Sequence, residues 1–585
     1  MPESTPLVTI VGAGIAGMSA AFRLLQAGCP VTVIEKTARL GGQFGAVRDG
    51  PRYHEHAFHI FADWCRNFFA LCSDIGLRRP TDPGAGEVAF VPRPGFLTLQ
   101  PLLPRQTYGP KGRDAGDFCR LEYLGLPQYF WKNANSGVAH WSDMVIYQYS
   151  ILDLLSDDSL DDDKSKEFLN RVSVNGFMHS RSYATDVAAL LHQELLLKVF
   201  AVPSYRTSAR AYRTYLRHTA AFPPGRRTGP GPSDVSPSFW SMQGNVHEHF
   251  WAPFRTKLDQ TARANRVPFR VRHGEEVTAL TLGKTDSGHE VTYIHFGEGK
   301  EPVTGPVLLA VPPGALNKIF KNSPDLAAAA PELGDVGYLE AEPVPALNLY
   351  FNKRLDLPEE HVTLLDASDD FYDPDTSLAR KNGIASQYGL SLVDHSRLWP
   401  ELRQSDKTVI SVLASDAKLL LQESDKKIQD ALVAALKRYI RFDESDLDHV
   451  HLQSHRDAPL FVNTEGSWEY RPEARLDQSR APDRPRKFPR VHGRVPNLFL
   501  AGDYCRSEVD IVSVEGAIVT GTAAAHLICK ESAAPIPPPA DFDREQLRRA
   551  KDLLRGWLDL AVRRSNQNFL ARRQEVIRKR KAQGL

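Results

Sequence analysis

The 585-residue sequence contains little cysteine and almost no net charge. Its six cysteines form no CxxC pair, which excludes a disulfide scaffold in so long a chain and fits a reducing cytosol. The formal net charge of +1 provides no general attraction to nucleic acid or to anionic lipid. We therefore expect a cytoplasmic protein that binds no nucleic acid, and in which any charge-driven contact comes from a local patch.

Long apolar runs are also missing. No stretch of about 18 or more apolar residues occurs, so no transmembrane helix is expected. The segment from Met1 to Pro6 is too short and too polar for a signal peptide. The sequence has no P-loop and no GxSxG element, which excludes two common sites for nucleotide and ester hydrolysis. It does have 42% hydrophobic residues, enough to bury a large core.

A complete GxGxxG motif follows the first apolar run. Leu7 to Val11 has the length and β-branched content of a buried strand, and Ile15 to Ala27 has the pattern of a helix. The motif glycines are Gly12, Gly14 and Gly17. In this context they permit a tight turn, close approach of a pyrophosphate and close packing of the helix, whose N-terminus attracts phosphate. Only one such motif is present, so a separate NADPH domain is not expected.

Two further features follow the next strand. Glu35 ends that strand, where a carboxylate would bind ribose hydroxyls and disfavour a 2′-phosphate. The segment Arg39-Leu40-Gly41-Gly42 comes next. Here the sequence resembles the flavoprotein superfamily of amine oxidases and carotenoid desaturases, in which an RxGG segment runs along the pyrophosphate of FAD. The resemblance implies that the cofactor is FAD.

A second segment with the same resemblance, AGDYCRSEVDIVSVEGAIVTG, spans Ala501 to Gly521. In that superfamily a Gly-Asp turn closes over the cofactor, and the following helix directs its positive N-terminus at the flavin. The resemblance also implies that Val277 contacts the adenine. The residues expected to contact FAD are Gly12, Gly14, Ile15, Ala16, Gly17, Glu35, Lys36, Arg39, Gly41, Gly42, Phe58, His59, Val277, Gly502, Asp503, Ser513, Val514, Glu515 and Ala517.

Three stretches resemble the plant and cyanobacterial type of phytoene and ζ-carotene desaturase. They are His56 to Phe61 (with Ala57 where that branch has glycine), Gly244-Asn245 followed by Pro253, and Ala501 to Gly521. The resemblance implies an FAD-dependent desaturase or dehydrogenase of a lipophilic, isoprenoid- or carotenoid-like substrate. Hydride would pass to flavin N5, and the electrons would pass on to oxygen or a quinone.

Other functions are compatible with the same motifs. One is a flavin amine or amino-acid oxidase, against which the desaturase-like C-terminal segment counts. Another is a redox-neutral FAD-dependent isomerase or hydratase of polyenes or fatty acids. A non-enzymatic escort-type binding protein would share the fold, but the intact glycines, Glu35 and the Gly-Asp turn argue against it.

His59 is the first candidate for the proton acceptor, because imidazole titrates near neutrality and the motif places it near the flavin. A histidine that only hydrogen-bonds FAD or backbone is an equal alternative. Arg471 and Glu515 are weaker candidates, and for Arg471 a structural salt bridge is favoured. The His-Glu-His triplets at 54–56 and 247–249 lack HExxH spacing, so no metal site is expected.

We expect an α/β fold, with a discontinuous Rossmann-like FAD-binding domain, an inserted α+β substrate domain and a C-terminal helical tail. The predicted boundaries are 1–91, 261–320 and 481–530 for the FAD domain, 92–260 and 321–480 for the substrate domain, 531–540 for a Pro-rich linker and 541–585 for a basic amphipathic helix. The segment 92–158 is predicted to be an irregular insertion, and the acidic run 157–163 a solvated loop.

The tail helix carries an apolar stripe. Its members are Leu547, Leu554, Trp557, Leu558 and Ala561. Two alternatives stay open: the stripe lies on an anionic membrane and gives access to a lipophilic substrate, or it packs on the protein body or another subunit.

Overall fold

The computed structural model describes residues 6–55, 59–84, 86–93, 95–99, 115, 118–122, 128–136, 138–221, 239–285, 288–297, 299–364, 387–453, 456, 459–473, 495–538 and 543–582. Its strands are β1 (Val8–Val11), β2 (Val31–Glu35), β3 (Ala46–Asp49), β4 (Arg52–Glu55), β5 (Ile60–Ala62), β6 (Leu77–Arg78), β7 (Glu87–Val88), β8 (Phe90–Arg93), β9 (Gly95–Leu99), β10 (Phe118–Glu122), β11 (Phe239–Met242), β12 (Phe269–His273), β13 (Val277–Thr285), β14 (Gly288–Phe296), β15 (Gly299–Pro302), β16 (Val307–Leu309), β17 (Ala341–Glu342), β18 (Ala346–Phe351), β19 (His361–Leu364), β20 (Leu390–Asp394), β21 (Thr408–Ala414), β22 (Leu447–Gln453), β23 (Leu460–Phe461) and β24 (Leu498–Leu500).

The helices are α1 (Ile15–Gln26), α2 (Arg66–Asp74), α3 (Gln128–Ala134), α4 (Trp141–Ser156), α5 (Asp163–Arg171), α6 (Val174–His179), α7 (Asp186–Phe200), α8 (Ala209–Ala220), α9 (Ala252–Ala264), α10 (Pro313–Lys321), α11 (Pro324–Ala329), α12 (His395–Leu398), α13 (Asp425–Leu436), α14 (Ser467–Tyr470), α15 (Val514–Ile528) and α16 (Arg544–Ala582).

A five-stranded parallel sheet carries the first glycine motif, in the order β12-β2-β1-β16-β24. Its strands come from the beginning, the middle and the end of the chain, which confirms the discontinuous Rossmann-like organisation predicted from the sequence. The central strands are apolar because helices cover both faces of such a sheet. Strand β12 was not predicted: its arginines alternate with apolar residues, a pattern suited to the sheet edge that it occupies.

A seven-stranded mixed sheet, ordered β10-β9-β19-β20-β21-β18-β22, forms the second layer. Its β9 and β19 are parallel, and its other neighbours are antiparallel. One face packs apolar side chains such as Leu349 and Val412 under α13. Strands β9 and β10 and helices α3 and α4 come from the segment predicted to be irregular, so that prediction was wrong. The strands there are too short to establish a visible period.

The tail helix α16 packs lengthwise on α4. Leu554, Leu558 and Ala561 are buried against Val145 and Tyr149. Most of the predicted stripe therefore packs on the protein body, which confirms the second alternative for those residues.

Ion pairs hold the N-terminal end of α16 against the end of α4 and the acidic run that follows it. Arg544 pairs with Asp158 at 2.8 Å and with Asp161 at 2.7 Å, and Lys551 pairs with Asp153 at 2.6 Å. The acidic run is solvated in part: Asp158, Asp162 and Asp163 are exposed, as predicted. Asp158 and Asp161 also pair with the basic tail, and Asp161 pairs with Arg213 of α8. Within the described ranges, no helix is both long enough and apolar enough to span a membrane.

Candidate active site

The glycine-rich turn between β1 and α1 leaves open space at one position only. Gly12 has φ +103°, and an added Cβ would lie 2.3 Å from the carbonyl oxygen of Ala310. A Cβ on Gly17 would lie 2.1 Å from the carbonyl oxygen of Gly12. A Cβ on Gly14, the N-cap of α1, would meet no atom within 4 Å. The first two glycines thus serve backbone packing, whereas Gly14 borders a cradle in front of the helix N-terminus.

Glu35 and the RxGG segment lie beside this cradle. The Glu35 carboxylate is buried and accepts hydrogen bonds from the Ala13 N–H (2.8 Å) and the Thr37 hydroxyl (2.8 Å). The Gly41 N–H donates to the Ala13 carbonyl at 2.9 Å, and Gly41 has φ +108°. These bonds hold the RxGG segment against the first turn.

Arg39 adds positive charge at the same place. Burial lowers the pKa of the Arg39 guanidinium, and the negative charge of Glu35 opposes that shift. Lys36 is exposed next to Glu35. Val277 begins β13 just after Glu275, whose N–H donates to the Glu35 carbonyl at 3.0 Å. The predicted adenine and ribose contacts therefore lie at one end of β2.

The Gly-Asp turn after β24 is held by Arg471. This buried guanidinium donates to the carbonyl oxygens of Asp503 (2.8 Å), Tyr504 (2.9 Å), Cys505 (2.8 Å) and Asp510 (3.0 Å). It also pairs with the Asp510 carboxylate at 3.0 Å. The favoured structural role of Arg471 is confirmed. Burial raises the pKa of Asp503 to about 6, although the charge of Arg471 opposes the shift.

Helix α15 contacts both the Gly502-Asp503 turn and helix α1, which follows the first glycine-rich turn. Its N-cap, Ser513, accepts a hydrogen bond from the Gly516 N–H at 2.9 Å. The Thr520 hydroxyl accepts from the Gly502 N–H at 3.0 Å. A Cβ on Gly521 would lie 2.2 Å from the carbonyl oxygen of Ala16, so α15 touches the backbone of α1. Val514 and the buried Ala517 lie in the first turn of this helix.

The Glu515 carboxylate is occupied by α2. It accepts hydrogen bonds from the Asn67 N–H (2.9 Å), the Asn67 amide (2.8 Å) and the Phe68 N–H (2.8 Å). Burial raises its pKa, and these donors oppose the shift. A carboxylate that satisfies the N-terminus of a neighbouring helix serves structure, so the suggested catalytic role of Glu515 finds no support in this geometry.

His59 lies where the two domains meet. Its ring meets the edge of Phe44, just after the RxGG segment, with centroids 4.6 Å apart. His395, the first residue of α12 directly after β20, lies near enough for His59 to affect it: burial lowers the pKa of His395 to about 3, and the charge of His59 lowers it further. His59 thus lies beside Phe44, three residues after Gly41, and its contact with the flavin stays a prediction. Phe58 lies outside the described residues, as do Ala57 and His56.

Sequence reasoning missed a row of linked buried polar side chains near His59, formed by His395, Ser411 and Asn348 and called the polar track below. His395 Nε2 lies 2.7 Å from the Ser411 hydroxyl, which donates to the Asn348 side-chain oxygen at 2.6 Å. The Asn348 amide contacts the backbone carbonyl of Glu55 at 3.4 Å. The available signal was a single polar residue inside each of two apolar strands, ALNLYF and TVISVLA.

Glu55 is a second group that the sequence did not reveal. Its buried carboxylate accepts a hydrogen bond from the Val246 N–H at 2.9 Å. Burial raises the pKa of Glu55 to about 7, and that hydrogen bond opposes the shift. Glu55 is the last residue of the β3–β4 hairpin that follows the RxGG segment, and its pKa therefore lies near neutral pH.

The residues present fit FAD. The open space beside Gly14 would receive the pyrophosphate, Glu35 would bind the ribose, and the Gly502-Asp503 turn would hold the flavin end. The helix N-termini of α1 and α15 add positive potential at the phosphates and the flavin. No described residue fills the cradle at Gly14.

Gly14→Ala tests the cradle. Because its Cβ meets no protein atom, we expect an unchanged melting temperature for the FAD-free protein but an affinity for FAD at least about tenfold lower, measured by reconstitution and flavin fluorescence. Gly12→Ala is the matched comparison and should lower stability itself, because its Cβ meets Ala310. Unchanged FAD affinity in Gly14→Ala would show that phosphate does not lie there.

Glu55→Gln tests the raised pKa. The pKa of Glu55 is about 7 in the folded chain and 4.5 as the ordinary value in the unfolded chain. Between these pH values the folded chain keeps a proton that the unfolded chain has released, so the stability of the fold decreases as the pH rises through this range. We expect Glu55→Gln to equal the wild type near pH 4 and to exceed it at pH 8 by on the order of 2 kcal/mol in urea unfolding. The exposed Glu87→Gln should leave the profile unchanged. Parallel wild-type and Glu55→Gln profiles would contradict the assignment.

Comparisons with known proteins agree with this site. The family model of flavin-containing amine oxidoreductases matches residues 15–529. The ζ-carotene desaturase of Synechocystis sp. is 38% identical over 73 residues, which are 12% of this chain and 15% of that protein. Protoporphyrinogen oxidase 2 of Arabidopsis thaliana is 29% identical over 98 residues, 17% of this chain and 19% of that protein. The chain thus matches less than a fifth of the length of either relative.

Solved structures show the same fold. Cyclohexylamine oxidase from Brevibacterium oxydans IH-35A has a TM-score of 0.55 at 14% identity, covering 90% of this chain and 99% of that one. Putrescine oxidase bound to putrescine has a TM-score of 0.55 at 15% identity, covering 89% and 98%. The predicted superfamily and cofactor are confirmed. The chain belongs to the family of flavin-containing amine oxidoreductases and is an FAD-dependent oxidoreductase.

Proposed function

We propose that this oxidoreductase is a desaturase or dehydrogenase of a lipophilic, isoprenoid- or carotenoid-like substrate. The observation that carries the proposal is the segment from Ala501 to Gly521, which resembles phytoene and ζ-carotene desaturases and forms the turn and helix that close the FAD site. Short matches to ζ-carotene desaturases from several species add support. FAD bound in the cradle supplies the hydride acceptor.

His59 is the residue that we propose takes the substrate proton. Its ring contacts Phe44, just after the RxGG segment, and its charge acts on the buried His395 at the start of α12. His395 and Ser411 lie within hydrogen-bond distance, which offers a proton a path away from the site. Desaturation by this route needs no metal. The final electron acceptor in this proposal is oxygen or a quinone, because the sequence has no second dinucleotide motif.

The outer face of α16 supports contact with a membrane that stores such a substrate. Leu553, Trp557 and Leu560 follow helical spacing and are 54%, 45% and 49% exposed. Exposed arginines, Arg549 and Arg564, stand one turn before and after them on the same face. An apolar patch with an aromatic ring and basic ends suits the surface of an anionic bilayer. We propose a cytoplasmic enzyme that docks peripherally through this face.

A flavin amine or amino-acid oxidase is the second candidate, and one specific observation favours it. The sheet face that carries Asn348 and Ser411 also carries Thr363 and Ser391, by register. The hydroxyls of Thr363 and Ser391 are buried and have no hydrogen-bond partner among the described residues. A polar group on the substrate would satisfy them. A purely hydrocarbon substrate would leave them unsatisfied.

Anaerobic mixing distinguishes these functions. We expect a polyene lipid to bleach the flavin absorbance of the holoenzyme and an amine to leave it unchanged. His59→Gln should keep the bound FAD and slow the bleaching by about 10²-fold or more. Bleaching by amines alone would replace the proposal with the second candidate. Conversion of lipid while the flavin stays oxidised would identify a redox-neutral isomerase or hydratase.

Vesicle binding tests the membrane face. Co-sedimentation with vesicles that contain anionic phospholipid should fall by about tenfold or more in the triple variant Leu553→Ser, Trp557→Ser, Leu560→Ser, because the inserted apolar area is lost. The melting temperature should fall only slightly, since all three side chains are about half exposed and the variant removes the contact of Trp557 with Trp131 of α3. Leu570→Ser, also exposed on α16 but off this face, is the control. Equal binding of the wild type and the triple variant would contradict docking through this face.

A further inference from the structure

Three histidines from distant parts of the chain meet beside the seven-stranded sheet. His449 and His451 occupy alternate positions of the edge strand β22, so both side chains point to one face of the sheet. The β3–β4 hairpin crosses that face and presents His54. Each histidine contributes one ring nitrogen to the cluster, and the three nitrogen atoms all lie within 4.8 Å of one another.

The hydrogen bonds of His54 direct one lone pair into this cluster. The Tyr350 hydroxyl donates to the Tyr53 carbonyl at 2.7 Å, so its oxygen is free to accept from His54 Nδ1 at 3.2 Å. A neutral imidazole that donates through Nδ1 carries its lone pair on Nε2. His54 is completely buried, and its Nε2 has no hydrogen-bond partner among the described residues.

An acceptor faces that lone pair. Asp49 Oδ2 lies 3.9 Å from His54 Nε2, and the buried Nε2 of His449 also has no hydrogen-bond partner among the described residues. Lone pairs and a carboxylate that point at one another repel unless a cation or a proton lies between them. The guanidinium of Arg52, next in the chain to Tyr53 and His54, pairs with Asp448 at 2.9 Å.

We propose that His54, His449 and His451 bind a zinc ion, with the Asp49 carboxylate or a water as the fourth ligand. Three imidazoles and one oxygen are a common tetrahedral zinc set, with Zn–N distances of about 2.0–2.1 Å. The ring centroids of His54 and His451 are stacked 3.8 Å apart, and Tyr350 holds His54. The ring of His451 would therefore turn about its Cβ–Cγ bond and give up its 3.3 Å contact with the Gln453 side chain to share the ion. Nitrogen ligands disfavour magnesium and calcium.

The position of this site indicates what the ion would do. The hairpin directly follows the RxGG segment of the FAD site, whereas β22 belongs to the substrate sheet. Zinc bound here would fasten the two layers together beside the polar track. The Asp49 side chain is 63% exposed, which gives the ion a path from solvent. The Tyr350 hydroxyl would orient His54 from outside the coordination shell.

Metal analysis of tag-free holoprotein, expressed with added zinc and then dialysed, tests the proposal. We expect about one zinc per chain in the wild type by mass spectrometry of the metal content. His449→Gln and His451→Gln change half-buried residues of an edge strand and should each reduce the zinc content at least about fivefold. His289→Gln, on strand β14 of another sheet, is the control and should keep the ion. FAD content and circular dichroism verify folding of each variant.

A second measurement needs no variant. Zinc added to chelator-treated wild-type protein should raise the melting temperature, because zinc binds at this site in the folded chain only. Magnesium should not raise it, because nitrogen ligands disfavour magnesium. Equal zinc content in the wild type and both strand variants would overturn the proposal. Absence of zinc from the wild type, together with no thermal response to added zinc, would also overturn it.

Discussion

The contact between Gly521 of α15 and Ala16 of α1 is the constraint on which the FAD site depends. A single added carbon on Gly521 would lie 2.2 Å from the Ala16 carbonyl oxygen. Helix α1 begins at the first glycine turn, and Thr520, next to Gly521, holds Gly502 at 3.0 Å. This one backbone contact therefore sets the distance between the N-terminal and C-terminal parts of the site, which lie at opposite ends of the sequence.

Other interactions hold the same parts from outside. Arg471 fixes the Gly-Asp turn through backbone carbonyls, which are insensitive to the side chains that the turn carries. The Glu515 carboxylate binds Asn67 at the start of α2, and Asn67 in turn pairs with Ile536 of the Pro-rich linker through two hydrogen bonds of 2.8 Å. The linker is thereby tied to the flavin side before the chain continues into α16, whose inner face is buried on α4.

The cofactor half of the molecule was predictable because backbone geometry dictates its residue types. Gly12 needs a positive φ and Glu35 must end a strand, so both positions can be recognised from the sequence. The substrate half was less predictable, since its contacts join residues that are distant in sequence. Nothing near His395 indicates that Ser411 will lie 2.7 Å away, and the structural role of Glu515 depends on a helix more than four hundred residues earlier. His449 and His451 did show the alternation of a strand, but not that His54 would face them.

The most direct measurement is the FAD content of Gly521→Ala compared with Gly556→Ala. Both place alanine in a helix, which by intrinsic propensity stabilises by about 1 kcal/mol. Gly556 on α16 has no atom within 4 Å of an added Cβ, so its variant should bind one FAD per chain and melt at or slightly above the wild type. Gly521→Ala should separate α15 from α1, lose most of its FAD and melt at a lower temperature. Full FAD content and an unchanged melting temperature in Gly521→Ala would contradict a site set by this contact.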